Sequence, residues 1–430
     1  MLNKARQLSV EVTHDDMRRI TVEDRDLRAD IDMGVATTVN AIIAAAIRYG
    51  ASDIHFEPME DELRVRIRVD GSLCQLVSLD KLAEPQVMSR LKVMCKMKLD
   101  DQRLPQDGRI TVTYKDEPYS HMYNIRVSVI PKHLINQPSE KAVLRLLRST
   151  VGVDINKLGF SEPIKAQLES VMEQPQGIFL LTGPTGSGKS TTLNGMLTRL
   201  NKMDVNILTI EDPIEYHIPG ITQVQTYEAI GLTFGSALRA FLRQDPDIIM
   251  VGEMRDAETV QIAVRAALTG HLVLSTLHTN DAPSAIPRLV DLGAEPYLIA
   301  SSLMGVMAQR LVKCLCPQCK EAYQAQASEL ACLGYNPENP DAPVTLYRPK
   351  GCTGCLHTGY KGRRGIFELL MVNKEIRELI RLGRSVSVEE VRRVARENGM
   401  QELRDEGLAL VLNGTTTIDQ IKRVVYTVDW

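Results

Sequence analysis

The spacing of apolar positions changes along this chain, and each change marks an element. From Met33 onward Val35, Val39, Ile42, Ile43, Ala46 and Ile47 recur at helical spacing and stop at Tyr49-Gly50, which predicts an amphipathic helix. Period two follows. Leu63-Arg-Val-Arg-Ile-Arg-Val69 and Ile125-Arg-Val-Ser-Val129 alternate apolar with polar and predict half-buried strands around a helical stretch near Gln86–Lys98. Together these make a compact α+β domain over residues 33–150, and residues 151–163 read as a linker. The preceding residues 1–32 are rich in Asp, Glu and Arg with weak periodicity, and read as a tail or a single exposed helix.

Between 164 and 310 the pattern becomes short, wholly apolar runs separated by helical stretches. The runs Ile178–Thr182, Val205–Ile210, Ile248–Val251 and Leu272–Thr276 predict buried strands of a parallel sheet, which places ligands at the strand C-terminal ends. A cysteine-rich insert covers 311–360, and a helical segment fills 361–430. No internal repeat or low-complexity tract interrupts this plan.

Composition narrows the class. At 430 residues the chain is too long for one core, and 44% hydrophobic with 24% charged residues is ordinary for a soluble globular protein. A net charge of −3 and few aromatics (6 Phe, 12 Tyr, 1 Trp) give neither the electrostatic footprint nor the stacking platforms of a nucleic-acid binder. The N-terminus has no apolar h-region, and the run Ala41–Ile47 is too short to span a bilayer. The expectation is a cytoplasmic protein whose membrane contact is peripheral.

One apolar strand runs directly into Gly183-Pro-Thr-Gly-Ser-Gly-Lys-Ser-Thr191, the G-x-x-x-x-G-K-S phosphate loop in its proper setting. Gly183, Gly186 and Gly188 let the backbone between Pro184, Thr185 and Ser187 turn its N–H groups toward phosphate oxygens. Lys189 reaches the β- and γ-phosphates, the Ser190 hydroxyl ligates Mg²⁺, and Thr191 continues into a helix whose positive end faces the anion. The chain is therefore expected to bind ATP with Mg²⁺.

Acids follow the neighbouring strands. Glu211 and Asp212 stand just past the strand that Pro213 ends, and Asp247-Ile-Ile-Met-Val-Gly-Glu253 is an apolar strand ending in an acid, the shape of a Walker B segment. Hydrolysis needs one acid for the Mg²⁺ shell and one to orient and deprotonate water. His271 and His278 bracket a further strand. His278 reads either as a γ-phosphate or neighbouring-subunit contact or as a hydrogen-bonded structural residue. Among eight cysteines, Cys74 and Cys95 read as small core residues, and six cluster between 314 and 355. Cys316-Pro-Gln-Cys319 and Cys352-Thr-Gly-Cys355 are two C-x₂-C knuckles suited to tetrahedral structural Zn²⁺; Cys314 offers a competing thiolate, and an iron–sulfur cluster is the alternative metal.

These segments together resemble the GspE/PulE-type secretion and pilus-assembly ATPases. The phosphate loop, Ile210-Glu-Asp-Pro-Ile-Glu215, Leu242–Asp256 and Gly270–Asn280 carry the match, which extends upstream to Gly50–Pro58, Arg66–Gly71 and Leu104–Arg109. The resemblance implies an α/β fold: a RecA-like P-loop core, an N-terminal PAS-like α+β domain, a four-cysteine zinc insert and a helical C-terminal segment. It implies a homohexameric ATPase motor serving a type IV pilus or type II secretion pseudopilus through an inner-membrane platform protein, with no nucleic acid. Glu253 matches the Walker B glutamate and Glu211 the acid often cast as water activator, and the choice between them stays open. By the same resemblance Arg109 and Arg126 stand where the N-terminal domain supplies arginines to phosphates. Arg64 reads as solvated, Arg66 and Arg68 are left undecided, and Lys361–Arg364 reads as a solvated turn or a contact to acidic partners or lipid. The Cys tetrad favours extension or secretion over retraction. The short stretch before residue 33, where many secretion members carry a further domain, favours a pilus system or another docking mode. The competing readings are a RecA-like nucleic-acid translocase and a nucleotide-dependent scaffold with negligible turnover.

Overall fold

The computed structural model describes residues 7–13, 17–18, 21–23, 34–116, 119–133, 138–148, 152–335 and 343–425. The chain divides into two compact units, 1–150 and 151–430.

The first unit is an α+β sandwich. Its helix Val35–Arg48 buries Val39, Ile42, Ile43, Ala46 and Ile47, the residues spaced at helical period, and its second helix spans Glu84–Met94. The sheet is antiparallel, with the long strands Gln106–Asp116, Tyr119–His133 and Pro138–Arg148 leading into Asp53–Pro58, Glu62–Val69 and Ser72–Asp80. Strand Glu62–Val69 buries Leu63, Val65 and Ile67 and turns its arginines to the other face, as period two requires. Those arginines are paired. Arg66 bonds both Glu57 oxygens (2.7 and 2.8 Å), while Arg64 (3.2 Å) and Lys141 (3.1 Å) reach the same carboxylate. Burial works to raise the Glu57 pKa, but the hydrogen bonds from Arg66 and Lys141 overcome it and bring the group down to about 2. Arg64 is thus an ion-pair partner where period two alone suggested a solvated side chain.

The N-terminal stretch also departs from the expected tail or helix. Gln7–Thr13 is a strand, antiparallel to Gln106–Asp116, with Met17–Arg18 and Thr21–Glu23 beside it. Leu8, Val10 and Val12 alternate with polar residues, a short period-two signal that the charged flanks obscure. The rest of 1–32 lies outside the described residues.

The second unit is built on a seven-stranded sheet, in the order Thr222–Gln225, Ile207–Glu211, Ile248–Val251, Leu272–Leu277, Gly177–Thr182, Leu303–Leu315, Tyr360–Met371. All pairings are parallel except the last. Helices cover both faces, so the central strands are apolar on both sides. Ile178 and Leu180 pack into one core with Leu238, Val260 and Ile286; Phe179 and Leu181 pack into the other with Leu168, Leu193 and Met196. Each such buried side chain contributes roughly 1.5–3 kcal/mol, and this burial explains why the runs lack polar alternation. The four predicted strands stand within two residues of their expected bounds.

Two features were not legible. Residues 303–315 form a long strand that pairs with Tyr360–Met371, so the cysteine-rich segment is the distal part of a long hairpin arm. Its apolar residues Ala325, Leu330, Leu333 and Leu346 pack into the same core as Leu410, Val411 and Ile421 of the C-terminal helices. Lys361–Arg364, expected as a solvated turn, lies inside the strand Tyr360–Met371.

Candidate ATP site and cysteine cluster

The strand Gly177–Thr182 ends at Gly183, and the helix Lys189–Leu200 begins six residues later with Gly188 as its N-cap. Gly183 (φ 145°) and Gly188 (φ 94°) lie in the left-handed half of φ space, and a Cβ on either would stand 2.6 Å from Gln309 atoms. Only glycine fits there. The Lys189 ammonium is folded back over the loop, donating to the carbonyls of Gly183 (2.6 Å) and Pro184 (3.2 Å). Burial pushes its pKa down to about 8, against the pull of the nearby Glu253 carboxylate.

The loop opens onto a cleft of about 440 Å³, lined from Thr185 through Thr191 and by Glu211, Asp212, Glu253 and His278. These sequence-predicted residues come together because their strands end side by side. Glu253 stands two residues past Val251, where His278 Nε2 (3.4 Å) and Arg255 Nη2 (2.5 Å) meet its two carboxylate oxygens. His278 therefore lines the same cleft as Glu253. His271, at the other end of its strand, is structural, with Nδ1 2.9 Å from the Ala266 carbonyl. Glu211 is buried, and its Oε1 accepts from Thr209 Oγ1 (2.7 Å) and Gln223 Nε2 (2.9 Å). Burial pushes its pKa up, with those two hydrogen bonds opposing. The Ser190 hydroxyl and the carboxylates of Asp212, Glu211 and Glu253 offer hard oxygen donors in one cleft, the chemistry Mg²⁺ requires.

Arg255 and Arg363 also line the cleft and were missed. Arg255 carried a signal, two positions beyond Glu253 in an extended segment; Arg363 arrives on an antiparallel strand more than a hundred residues away.

Arg109 and Arg126 lie in the first unit, directly opposite each other on Gln106–Asp116 and Tyr119–His133, and Arg145 continues the row on the next strand. A surface cleft of about 540 Å³ runs along the three.

The thiols of Cys316, Cys319, Cys352 and Cys355 all lie within 4.8 Å of one another, with Sγ–Sγ separations of 3.9, 3.9 and 3.7 Å for Cys316–Cys352, Cys319–Cys355 and Cys352–Cys355. A tetrahedron of sulfurs at the usual zinc–thiolate bond length has edges of about 3.8 Å, so the set fits a four-coordinate metal. The Cys352 and Gly359 N–H groups point at Cys355 Sγ (3.2 and 3.3 Å). Cys314 is outside the cluster, inside the strand Leu303–Leu315. Cys74 and Cys95, expected in the core, are half-buried.

A phosphate loop between strand and helix, facing acids and a histidine on adjacent parallel strand ends, defines a P-loop ATPase with a RecA-like sheet. A family model described as type II/IV secretion system protein matches residues 29–423. The chain is 48% identical over 394 residues to type II secretion system protein E of Pseudomonas aeruginosa, covering 91% of this chain and 76% of that protein. It is 46% identical over 384 residues to the type IV pilus assembly ATPase PilB of Thermus thermophilus, covering 89% and 42%. Among solved structures, the pilus retraction motor PilT with bound ADP aligns with TM-score 0.58 at 29% identity, covering 89% of this chain and 95% of that one. The Legionella pneumophila ATPase DotB aligns at TM-score 0.67, covering 93% and 98%, and at 20% identity shows the shared fold. The chain belongs to the type II/IV secretion system protein family and is an ATP-hydrolysing enzyme of the secretion and pilus-assembly class. Among the described residues, no helix is long and apolar enough to cross a membrane.

Proposed function

We propose that ATP cleavage in this cleft drives assembly of a type IV pilus or a type II secretion pseudopilus. In this reading the chain works as a homohexamer in the cytoplasm, bound peripherally to a platform protein of the inner membrane. The observation that carries the proposal is the meeting of Lys189, Glu253 and His278 in one cleft, in a chain closely similar to secretion protein E and to PilB.

The residues divide the work by position. Backbone N–H groups of the loop from Thr185 to Gly188 cradle the phosphates, and Lys189 holds the β- and γ-phosphate charge. Bound Mg²⁺, held by Ser190 with a shell facing Asp212, would neutralise charge across the phosphates. Glu253 is the residue assigned to orient and deprotonate the attacking water: it shares the cleft with Lys189, and His278 steadies its second oxygen. Glu211, whose Oε1 is already an acceptor for Thr209 and Gln223, shapes the floor of the site. Arg109 and Arg126 are proposed to lend positive charge to the phosphates in the working oligomer.

Stimulation separates this reading from a nucleic-acid translocase. Phosphate release by the purified chain is expected to rise severalfold with the platform protein's cytoplasmic domain and to stay unchanged with single-stranded DNA. The reverse pattern would overturn the assignment.

The four thiolates are proposed to hold structural Zn²⁺, closing the distal part of the hairpin arm. Zinc binding contributes about 10–16 kcal/mol in small zinc modules. One zinc per chain is expected by elemental analysis, and Cys355→Ser should lose it and open residues 316–360 to proteolysis. Metal-free protein that resists protease as well as the wild type would contradict the site.

A further inference from the structure

Behind the phosphate loop lies a buried dipeptide that the chemistry above does not use. Strand Leu303–Leu315 runs parallel to the P-loop strand with Ala308 opposite Thr182, so Gln309 and Arg310 fall beside Gly183. Their side chains leave the strand on opposite faces. Gln309 Oε1 accepts from Thr192 Oγ1 (2.9 Å) at the start of the P-loop helix, and its amide nitrogen fills the space where a Gly188 Cβ would stand.

Arg310 is 5% exposed, and among the described residues no carboxylate oxygen lies within ion-pair distance of it. Its guanidinium instead donates to three backbone carbonyls: Nη2 to Asn280 (2.6 Å), Nη1 to Gln309 (3.1 Å) and Nε to Val424 (3.3 Å). Burial works to lower its pKa, and the charges of Glu368 and Asp281 oppose the loss. A buried charge is costly, and an apolar side chain would fill the space more cheaply. The planar fork of an arginine presents donors from three separate nitrogens and so reaches three carbonyls at separated, fixed positions, where a lysine ammonium offers its donors from a single point.

Two of the acceptors, Asn280 and Val424, belong to separate working segments. The third is on Arg310's own strand, and there, at the root of the phosphate loop, Arg310 Nη1 and Gln309 O pack together against Gly183, 2.9 and 2.6 Å from where its Cβ would stand. Asn280 is two residues past His278, in a segment also tied to the P-loop strand by Thr182 Oγ1 and Thr279 Oγ1 at 2.7 Å. Val424 lies in the final described helix, Ile418–Val425.

We propose that Arg310, braced by Gln309, is a positioning residue that locks the phosphate loop to the His278 segment and couples both to the helix Ile418–Val425. The inference rests on the reading of the cleft as the ATP site. Arg310→Lys keeps the charge and loses the fork. It should leave KM for ATP within about threefold of wild type and lower kcat by about 10- to 100-fold, the scale of a small misplacement of reacting groups. In wild type, a non-hydrolysable ATP analogue with Mg²⁺ should slow hydrogen exchange across 418–425; in Arg310→Lys that response should vanish while the phosphate loop is still protected.

Unchanged kcat in Arg310→Lys, KM rising in step with the fall in kcat, or exchange at 418–425 indifferent to nucleotide in wild type would each overturn the inference. Should the variant fail to fold, the wild-type exchange result decides alone. A wild type that neither binds nor cleaves ATP would instead overturn the ATP reading, and this inference with it.

Discussion

Lys189→Ala should abolish ATP turnover and weaken nucleotide binding together, with turnover down at least roughly 10²–10³-fold, the cost of removing one preorganised electrostatic partner of a reacting group. Lys189 is the buried ammonium whose Nζ lies over the loop carbonyls of Gly183 and Pro184, in the field of Glu253. Its charge serves the bound triphosphate before and during cleavage, so both KM and kcat should move. The wild-type cleft carries the same dependence on pH. With a pKa near about 8, Lys189 is charged below that value and increasingly neutral above it, and binding a triphosphate favours the charged form. ATP affinity should thus fall as pH rises past about 8, with proton uptake on binding. The stability sign is opposite: between about 8 and the ordinary lysine value the unfolded chain binds more protons, so stability rises with pH in that window. Fluorescent-nucleotide titration across pH 7–9 checks the binding half.

Glu253→Gln should behave differently. The amide keeps the shape of the carboxylate but cannot take a proton from water, and general-base catalysis contributes typically 10²–10⁴-fold. ATP affinity should remain within a few-fold of wild type, because Glu253 repels phosphate rather than binding it, so the variant should hold ATP uncleaved. Glu211→Gln should cost less, since it leaves the Glu253 carboxylate in place to take the proton, and Glu211 Oε1 serves as an acceptor for Thr209 and Gln223. A larger loss from Glu211→Gln than from Glu253→Gln would exchange the two roles.

The core of the site was legible because local sequence carried it. The glycines at 183, 186 and 188 announce backbone conformations that other residues resist, and the apolar run before them can only be a strand buried on both faces. Glu211, Asp212, Glu253 and His278 follow strands of the same kind, and a parallel sheet brings such ends together. The two C-x₂-C knuckles were legible as a tetrad, and the fold excludes Cys314 by keeping it in a strand. What stayed hidden depends on pairings distant in sequence. Nothing near Arg310 says that it faces Asn280 and Val424, and nothing near Arg363 says that an antiparallel strand delivers it to the cleft. The packing of the cysteine-rich arm stayed hidden because the partners of its apolar residues, Leu410, Val411 and Ile421, come much later in the chain. Arg64 looked solvated because its partner Glu57 lies on the neighbouring strand.

The most direct test of the account places binding and cleavage side by side in wild type, Lys189→Ala and Glu253→Gln, with nucleotide affinity and phosphate release measured on the same Mg²⁺-ATP samples. The account predicts that wild type binds and cleaves, Glu253→Gln binds without cleaving, and Lys189→Ala does neither. Wild-type rates of phosphate release from Lys189→Ala would contradict it.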